Sequence, residues 1–261
     1  MSQTLLLSGP PGCGKTSWIL NRFRTHQGPY GYLRLAGYSV NGRAHAPDGE
    51  LDLSWLQDQC PGLLDLADPD QAQAPRSPEF LALIELPQFH PREEAGLAGV
   101  DPRVTAQLQA LHLTADRHLH FGRDPELPQQ DTLDFNHLQA WSLSLDQSVW
   151  DPSSLSSFWF ELVNGAYGDV YRSKALMNLP DGRGVFCNWM VSQEGSQFLP
   201  LQTIAPPQGR PARLSRLVVQ GKNLARAAIE ATVADCLLSD AVLELQQASL
   251  RQRLTQTIRS A

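Results

Sequence analysis

Thr4-Leu5-Leu6-Leu7-Ser8 runs directly into Gly9-Pro10-Pro11-Gly12-Cys13-Gly14-Lys15-Thr16. The second part of this stretch has the Gly-x-x-x-x-Gly-Lys-Thr spacing of a phosphate-binding loop, the Walker A motif. Leu5 to Leu7 form an apolar run of the kind buried on both faces of a parallel sheet. Gly12 and Gly14 let the backbone curl so that its N–H groups converge on phosphate oxygens. Lys15 to Arg24 reads as a helix whose positive end strengthens the same anion site. In such a loop Gly9, Gly12, Cys13, Gly14, Lys15, Thr16 and Ser17 bind the nucleotide. Lys15 reaches the β- and γ-phosphates and the Thr16 hydroxyl ligates Mg²⁺. The motif therefore predicts an α/β nucleotide-binding domain at the N-terminus.

Around that loop lie 261 residues, enough for one large or two ordinary domains. A hydrophobic content of 42% supports a packed core. The formal net charge of -6 argues against wholesale wrapping of nucleic acid. No apolar run reaches the length of a membrane span and no leader precedes the first strand, which predicts a cytoplasmic protein without a membrane partner. Cys13, Cys60, Cys187 and Cys236 are scattered, with no Cys-x-x-Cys pair, so neither a disulfide framework nor a four-thiolate zinc knuckle is expected. Cys13 reads as a small residue that fits the loop.

Further on, Tyr32 to Val40 reads as a strand, and Leu51 to Leu66 contains a helix around Trp55 and Leu56. Asp68 to Pro78 reads as a solvated loop. Phe80-Leu81-Ala82-Leu83-Ile84-Glu85-Leu86 is a second buried strand that ends in an acid. Val104 to Leu113 is a helix, and Asp116 to Phe121 a strand on which His118 and His120 share one, solvent-facing, side. With His112, Cys60 or His90 these histidines are the candidate borderline-metal site. Arg123 to Gln130 is polar with two prolines, and the domain boundary falls between there and about Gln139, dividing the chain into 1–138 and 139–261.

The second half reads as an α+β unit. Trp141 to Leu145 is a strand, and Ser153 to Leu162 a helix behind Asp151-Pro152. Val170 to Leu179 and Val185 to Ser192 pair about a Pro180-Asp181-Gly182 turn. Phe198 to Ile204 and Arg213 to Val219 are strands. Lys222 to Leu238 is a helix with Leu224, Ala228, Ala231 and Cys236 at core spacing. A last helix spans Asp240 to Ile258 with Ser239 as N-cap, docked within the chain. Arg210, Arg213, Arg216, Lys222 and Arg226 form a solvated basic face.

Within that half, Glu161-Leu162-Val163-Asn164-Gly165-Ala166-Tyr167-Gly168-Asp169-Val170-Tyr171-Arg172-Ser173-Lys174 is followed by Pro180-Asp181-Gly182-Arg183, and later by Arg216-Leu217-Val218-Val219-Gln220-Gly221-Lys222-Asn223-Leu224. This order resembles the C-terminal domain of CobW-type P-loop GTPases, which are related to metal-insertion GTPases of the UreG and HypB kind. The resemblance implies GTP and Mg²⁺ as cofactors, with Lys15 and Glu85 as catalytic residues and Thr16 and Glu85 on Mg²⁺. It also implies management of a transition metal, often zinc or cobalt, for a client metalloprotein.

Three features of the first half depart from the family's pattern. Between the loop and the acidic strand the family carries Cys-x-Cys-Cys, whereas this interval has only Cys60, and one thiolate cannot hold a tetrahedral zinc. After Glu85 the run Leu86-Pro87-Gln88 lacks the family's glycine, and Pro87 withdraws an N–H donor near the γ-phosphate. Where guanine is read by Asn-Lys-x-Asp, this chain has Phe121-Gly122-Arg123-Asp124. Asp124 is the candidate base-reading residue, with Phe121 or Arg123 stacking on the base; a turn role before Pro125 is the alternative. The interval from Glu85 to Ala115 is also short, which predicts a small, mostly parallel sheet. Two other readings stay open: a non-hydrolysing relative used as a partner-docking module, and an enzyme that takes ATP.

Overall fold

The structure, a computed structural model, describes residues 2–10, 12–35, 49–72, 77–87, 100–127 and 139–260. The chain divides into two units, Met1–Asn136 and His137–Ala261.

In the first unit, β1 (Gln3–Gly9), β2 (Tyr30–Arg34), β3 (Leu64–Asp65), β4 (Leu81–Pro87) and β5 (Arg117–His120) form one sheet in the order β3-β2-β4-β1-β5. The strand pairings described within it are parallel. Parallel neighbours need crossovers, and α1 (Lys15–Thr25), α2 (Gly49–Gln59) and α4 (Pro102–Ala110) supply them. Leu6, Leu33, Leu66, Phe80, Ala82, Ile84, Leu86, Val104 and Leu108 make one apolar core on this sheet. Burying β4 along its whole length explains its unbroken apolar run and isolates Glu85 as its one acid.

Register sets the position of the site. Leu7 lies opposite Glu85, Ser8 opposite His120, and Arg34 opposite Glu85. The C-terminal ends of β1, β2, β4 and β5 thus stand side by side, where ligands bind in open parallel α/β sheets.

Several local expectations are corrected. His118 and His120 do not face solvent; both are buried against Ser8 of β1. Phe121 is buried too, edge-on to Trp18 at 6.4 Å, so it packs in the core and does not stack on a base. The short β3 interrupts the expected loop-and-helix region, and Pro69–Ala72 forms a helical turn (α3) inside the expected loop. Residues 36–40 of the expected second strand, residues 41–48, Gln88, His90 of the candidate metal set, and residues 128–138 at the expected boundary lie outside the described residues.

In the second unit, β6 (Gln139–Ser144), β7 (Asp169–Asn178), β8 (Gly184–Met190), β9 (Gln197–Pro200) and β10 (Arg216–Lys222) form an antiparallel sheet ordered β6-β10-β7-β8-β9. Helix α5 (Pro152–Val163) starts at Asp151, whose carboxylate accepts from the Ser154 N–H at 2.9 Å. Its Leu155, Phe158, Trp159 and Leu162 fall on one stripe and are buried with Trp150, Met177, Cys187 and Val219. Helix α6 (Arg226–Cys236) begins four residues later than expected, because Lys222 still belongs to β10. Its buried face is Ile229 and Val233; Ala228 and Ala231 are exposed.

Helix α7 (Asp240–Ser260) docks within the unit through Leu243 and Gln247, one turn apart on its buried side. Gln247 accepts from the Gly209 N–H at 2.7 Å and donates to the Gly209 carbonyl at 2.9 Å, replacing the water both groups would otherwise need. Two members of the expected basic face, Arg210 and Arg213, are tied down, while Lys222 and Arg226 are exposed as expected. Arg213 donates to Asn178 Oδ1, Thr203 O and Gly182 O, and Arg210 to Asp240, Gln147 O and Leu238 O. They tie loops by their carbonyls, a task suited to a rigid five-donor guanidinium.

Among the described residues, no helix is long and apolar enough to cross a membrane.

Candidate nucleotide site

The loop between β1 and α1 has the backbone its sequence requires. Gly12 and Gly14 have φ of 82° and 90°, the left-handed region, and Gly14 is the N-cap of α1. A side chain at Gly9 would put its Cβ 2.8 Å from Phe121 Cβ and 2.9 Å from Cys13 Sγ, so close approach of β5's end demands a glycine there. Cys13 is buried, the small packing residue expected.

Lys15 is only 5% exposed, and its ammonium donates to Gly9 O and Pro10 O, each at 2.8 Å. Glu85 Oε1 lies 3.8 Å from the same nitrogen. A buried cation must be compensated, and these carbonyls and the carboxylate do so. Glu85 Oε2 accepts the Tyr32 phenol at 2.8 Å. Burial first, then the nearby charges of Glu85 and Asp52, push Tyr32's ionisation well above that of an ordinary phenol, so it stays a donor.

Thr16, on the first turn of α1, donates its hydroxyl to Asp52 Oδ1 at 3.3 Å. Asp52 in turn forms an ion pair with Arg34. Ser17 is exposed on the outer side of the same turn. The structure therefore brings Lys15, Thr16 and Glu85 together and adds Asp52, Arg34 and Tyr32, which sequence reasoning missed. A signal existed for Asp52. Leu51, Asp52, Trp55 and Leu56 are spaced i, i+1, i+4, i+5 on one helical face, and all four are buried. An acid within an apolar stripe calls for a partner. For Tyr32 and Arg34 the signal was weaker: alternate residues on a strand share a face.

Asp124 lies in the turn after β5. Its carboxylate accepts from the His120 N–H, and its own N–H donates to His120 O at 3.0 Å. Beside it, Ser8 Oγ is 2.6 Å from His118 Nε2 and 2.8 Å from His120 Nδ1. One hydroxyl proton serves only one ring nitrogen, so at least one ring presents an N–H to Ser8.

The donors the site offers a cation are the Thr16 hydroxyl and the Glu85 carboxylate, hard oxygens that suit Mg²⁺, with Asp52 behind Thr16. Among the described residues, no three His, Cys, Asp or Glu side chains are grouped to hold a metal ion. Cys60 is buried at the end of α2, and burial pushes its thiol up, away from the thiolate a soft metal requires.

Residues 138–237 match the family model of the cobalamin synthesis protein cobW C-terminal domain. No curated protein matches the chain. Among solved structures, Zn(II)-bound YjiA GTPase from E. coli is similar over 90% of this chain and 98% of that one, at 13% identity and a TM-score of 0.32. A Zn(II)-bound triple mutant of YjiA is similar over 90% and 99%, at 12% identity and a TM-score of 0.31.

Proposed function

Because its C-terminal domain makes this chain a relative of CobW-type proteins, we propose that it binds GTP–Mg²⁺ at the phosphate loop and hydrolyses it slowly. The observation that carries this reading is the buried Lys15, held by the Gly9 and Pro10 carbonyls and facing Glu85 at the C-terminal edge of a parallel sheet. A lysine kept there by main-chain carbonyls can exchange them for phosphate oxygens with little desolvation cost. The amides of Gly12, Cys13 and Gly14 would cradle the phosphates. Thr16 and Glu85 would hold Mg²⁺, which when bound neutralises charge on the β- and γ-phosphoryl oxygens. Guanine is proposed over adenine from the family likeness, with Asp124 as the residue to test.

The same likeness supports coupling of nucleotide turnover to delivery of a transition metal, zinc among them, to a client metalloprotein. The chain's own described thiols do not assemble a site for that cargo. A non-hydrolysing docking module is the second reading, and Pro87 favours it. It lies opposite Gly9 at the end of β4 and offers no N–H to a γ-phosphate.

Calorimetry of the full chain with GTP and with ATP, each with Mg²⁺, tests binding. Phosphate release, with and without zinc, tests turnover. Binding and release that both vanish in Lys15→Ala support the GTPase. Tight binding without release supports the docking module. Failure of both nucleotides to bind at millimolar concentration would refute the proposal.

A further inference from the structure

We infer that Asp52 positions the Thr16 hydroxyl for Mg²⁺ on a bound nucleoside triphosphate, so that helix α2 is fastened to the phosphate loop by nucleotide occupancy. This rests on the nucleotide-binding reading above.

Asp52 is 1% exposed, so its charge requires close partners. Arg34 pairs with Oδ2, and Thr16 donates to Oδ1 at 3.3 Å. The two partners do different work. Arg34 comes from β2, beside Glu85, and offsets the charge of Asp52. Thr16 comes from the loop itself. A hydroxyl that gives its proton to a carboxylate turns both lone pairs outward, and a lone pair is what a hard cation takes from threonine.

Asp52 therefore acts through Thr16 and need not touch the metal. Among the described residues the site's charges pair off and so balance, Lys15 with Glu85 and Arg34 with Asp52. Once Lys15 leaves Glu85's side for phosphate, a cation near Glu85 and Thr16 restores that balance. The Thr16–Asp52 bond should then be strongest with Mg²⁺-nucleotide bound. Leu51, Trp55 and Leu56, on the same face of α2, transmit that to the helix as a unit.

The test is GTP affinity of the full chain in excess Mg²⁺ and in EDTA. Wild type should bind more tightly with Mg²⁺. Asp52→Asn keeps the side chain's shape and should lose ~10–100-fold of that Mg²⁺-dependent gain, the usual cost of removing a partner of a metal ligand. Its affinity in EDTA should stay within about twofold, which a general structural defect would not respect.

Thr16→Ala should lose the same gain, and the Asp52→Asn/Thr16→Ala double variant should be no worse than Thr16→Ala alone. A full Mg²⁺ gain in Asp52→Asn, or additive losses in the double variant, would overturn the inference while leaving nucleotide binding intact. Absence of GTP binding by wild type would refute the nucleotide reading, and this inference with it.

Should Asp52→Asn not fold, hydrogen exchange decides. Mg²⁺-GTP should protect the 51–56 amides in wild type but not in Thr16→Val. Equal protection in both, or none in wild type, overturns the inference.

Discussion

Tyr32 on β2 donates its phenol to Glu85 on the adjacent β4 at 2.8 Å, joining two strands through buried side chains at the mouth of the phosphate loop. The bond satisfies one lone-pair direction of an acid that has little water to turn to.

Removing that donor should be costly. Tyr32→Phe leaves Glu85 with an unmet buried acceptor and should lower stability by ~1–3 kcal/mol at neutral pH, measured by urea unfolding. The gap should narrow in alkali. Tyr32's ionisation is raised in the folded state, so its contribution is complete below about pH 10 and falls as pH rises beyond that, when the unfolded phenol loses its proton first. Phenylalanine has no such loss. A gap that widened above pH 10 would contradict the assignment.

Gly9→Ala should strain the loop from beneath. Its Cβ would meet Phe121 Cβ at 2.8 Å and Cys13 Sγ at 2.9 Å, nearer than unstrained contacts allow. A loss of ~1–3 kcal/mol is expected from overpacking. Thermal unfolding together with nucleotide titration checks this, and affinity should fall along with stability.

Ser8→Ala removes the oxygen that His118 and His120 share. A loss of ~1–3 kcal/mol is expected from polar ring nitrogens left facing a methyl group. The ring-proton NMR chemical shifts of both histidines should change together, because one hydroxyl contacts both rings. A change in one ring alone would break the link.

Thiol reactivity should separate the cysteines. Cys13, Cys60 and Cys187 are buried, and burial pushes the Cys187 thiol far up, so they should resist a disulfide reagent in the native state. Cys236 is half-buried and should react first, and Cys236→Ser should remove that phase. Denaturant should expose all four.

By itself the sequence determined what is local or periodic. The Gly-x-x-x-x-Gly-Lys-Thr spacing marks the loop because a backbone that curls around phosphate needs left-handed positions, which Gly12 and Gly14 supply. An unbroken apolar run marks β4, because a strand covered on both faces tolerates no alternation, and Asp151-Pro152 marks the start of α5. Only the tertiary structure decided which polar residues meet. Thr16 and Asp52 are 36 positions apart, Tyr32 and Glu85 53, and Ser8 and His118 110. Those pairings depend on strand order and register, and no periodicity within one segment encodes which strands become neighbours. For that reason His118 and His120, solvent-facing by their alternation, are buried beside Ser8, and Phe121 lies in the core beneath Gly9.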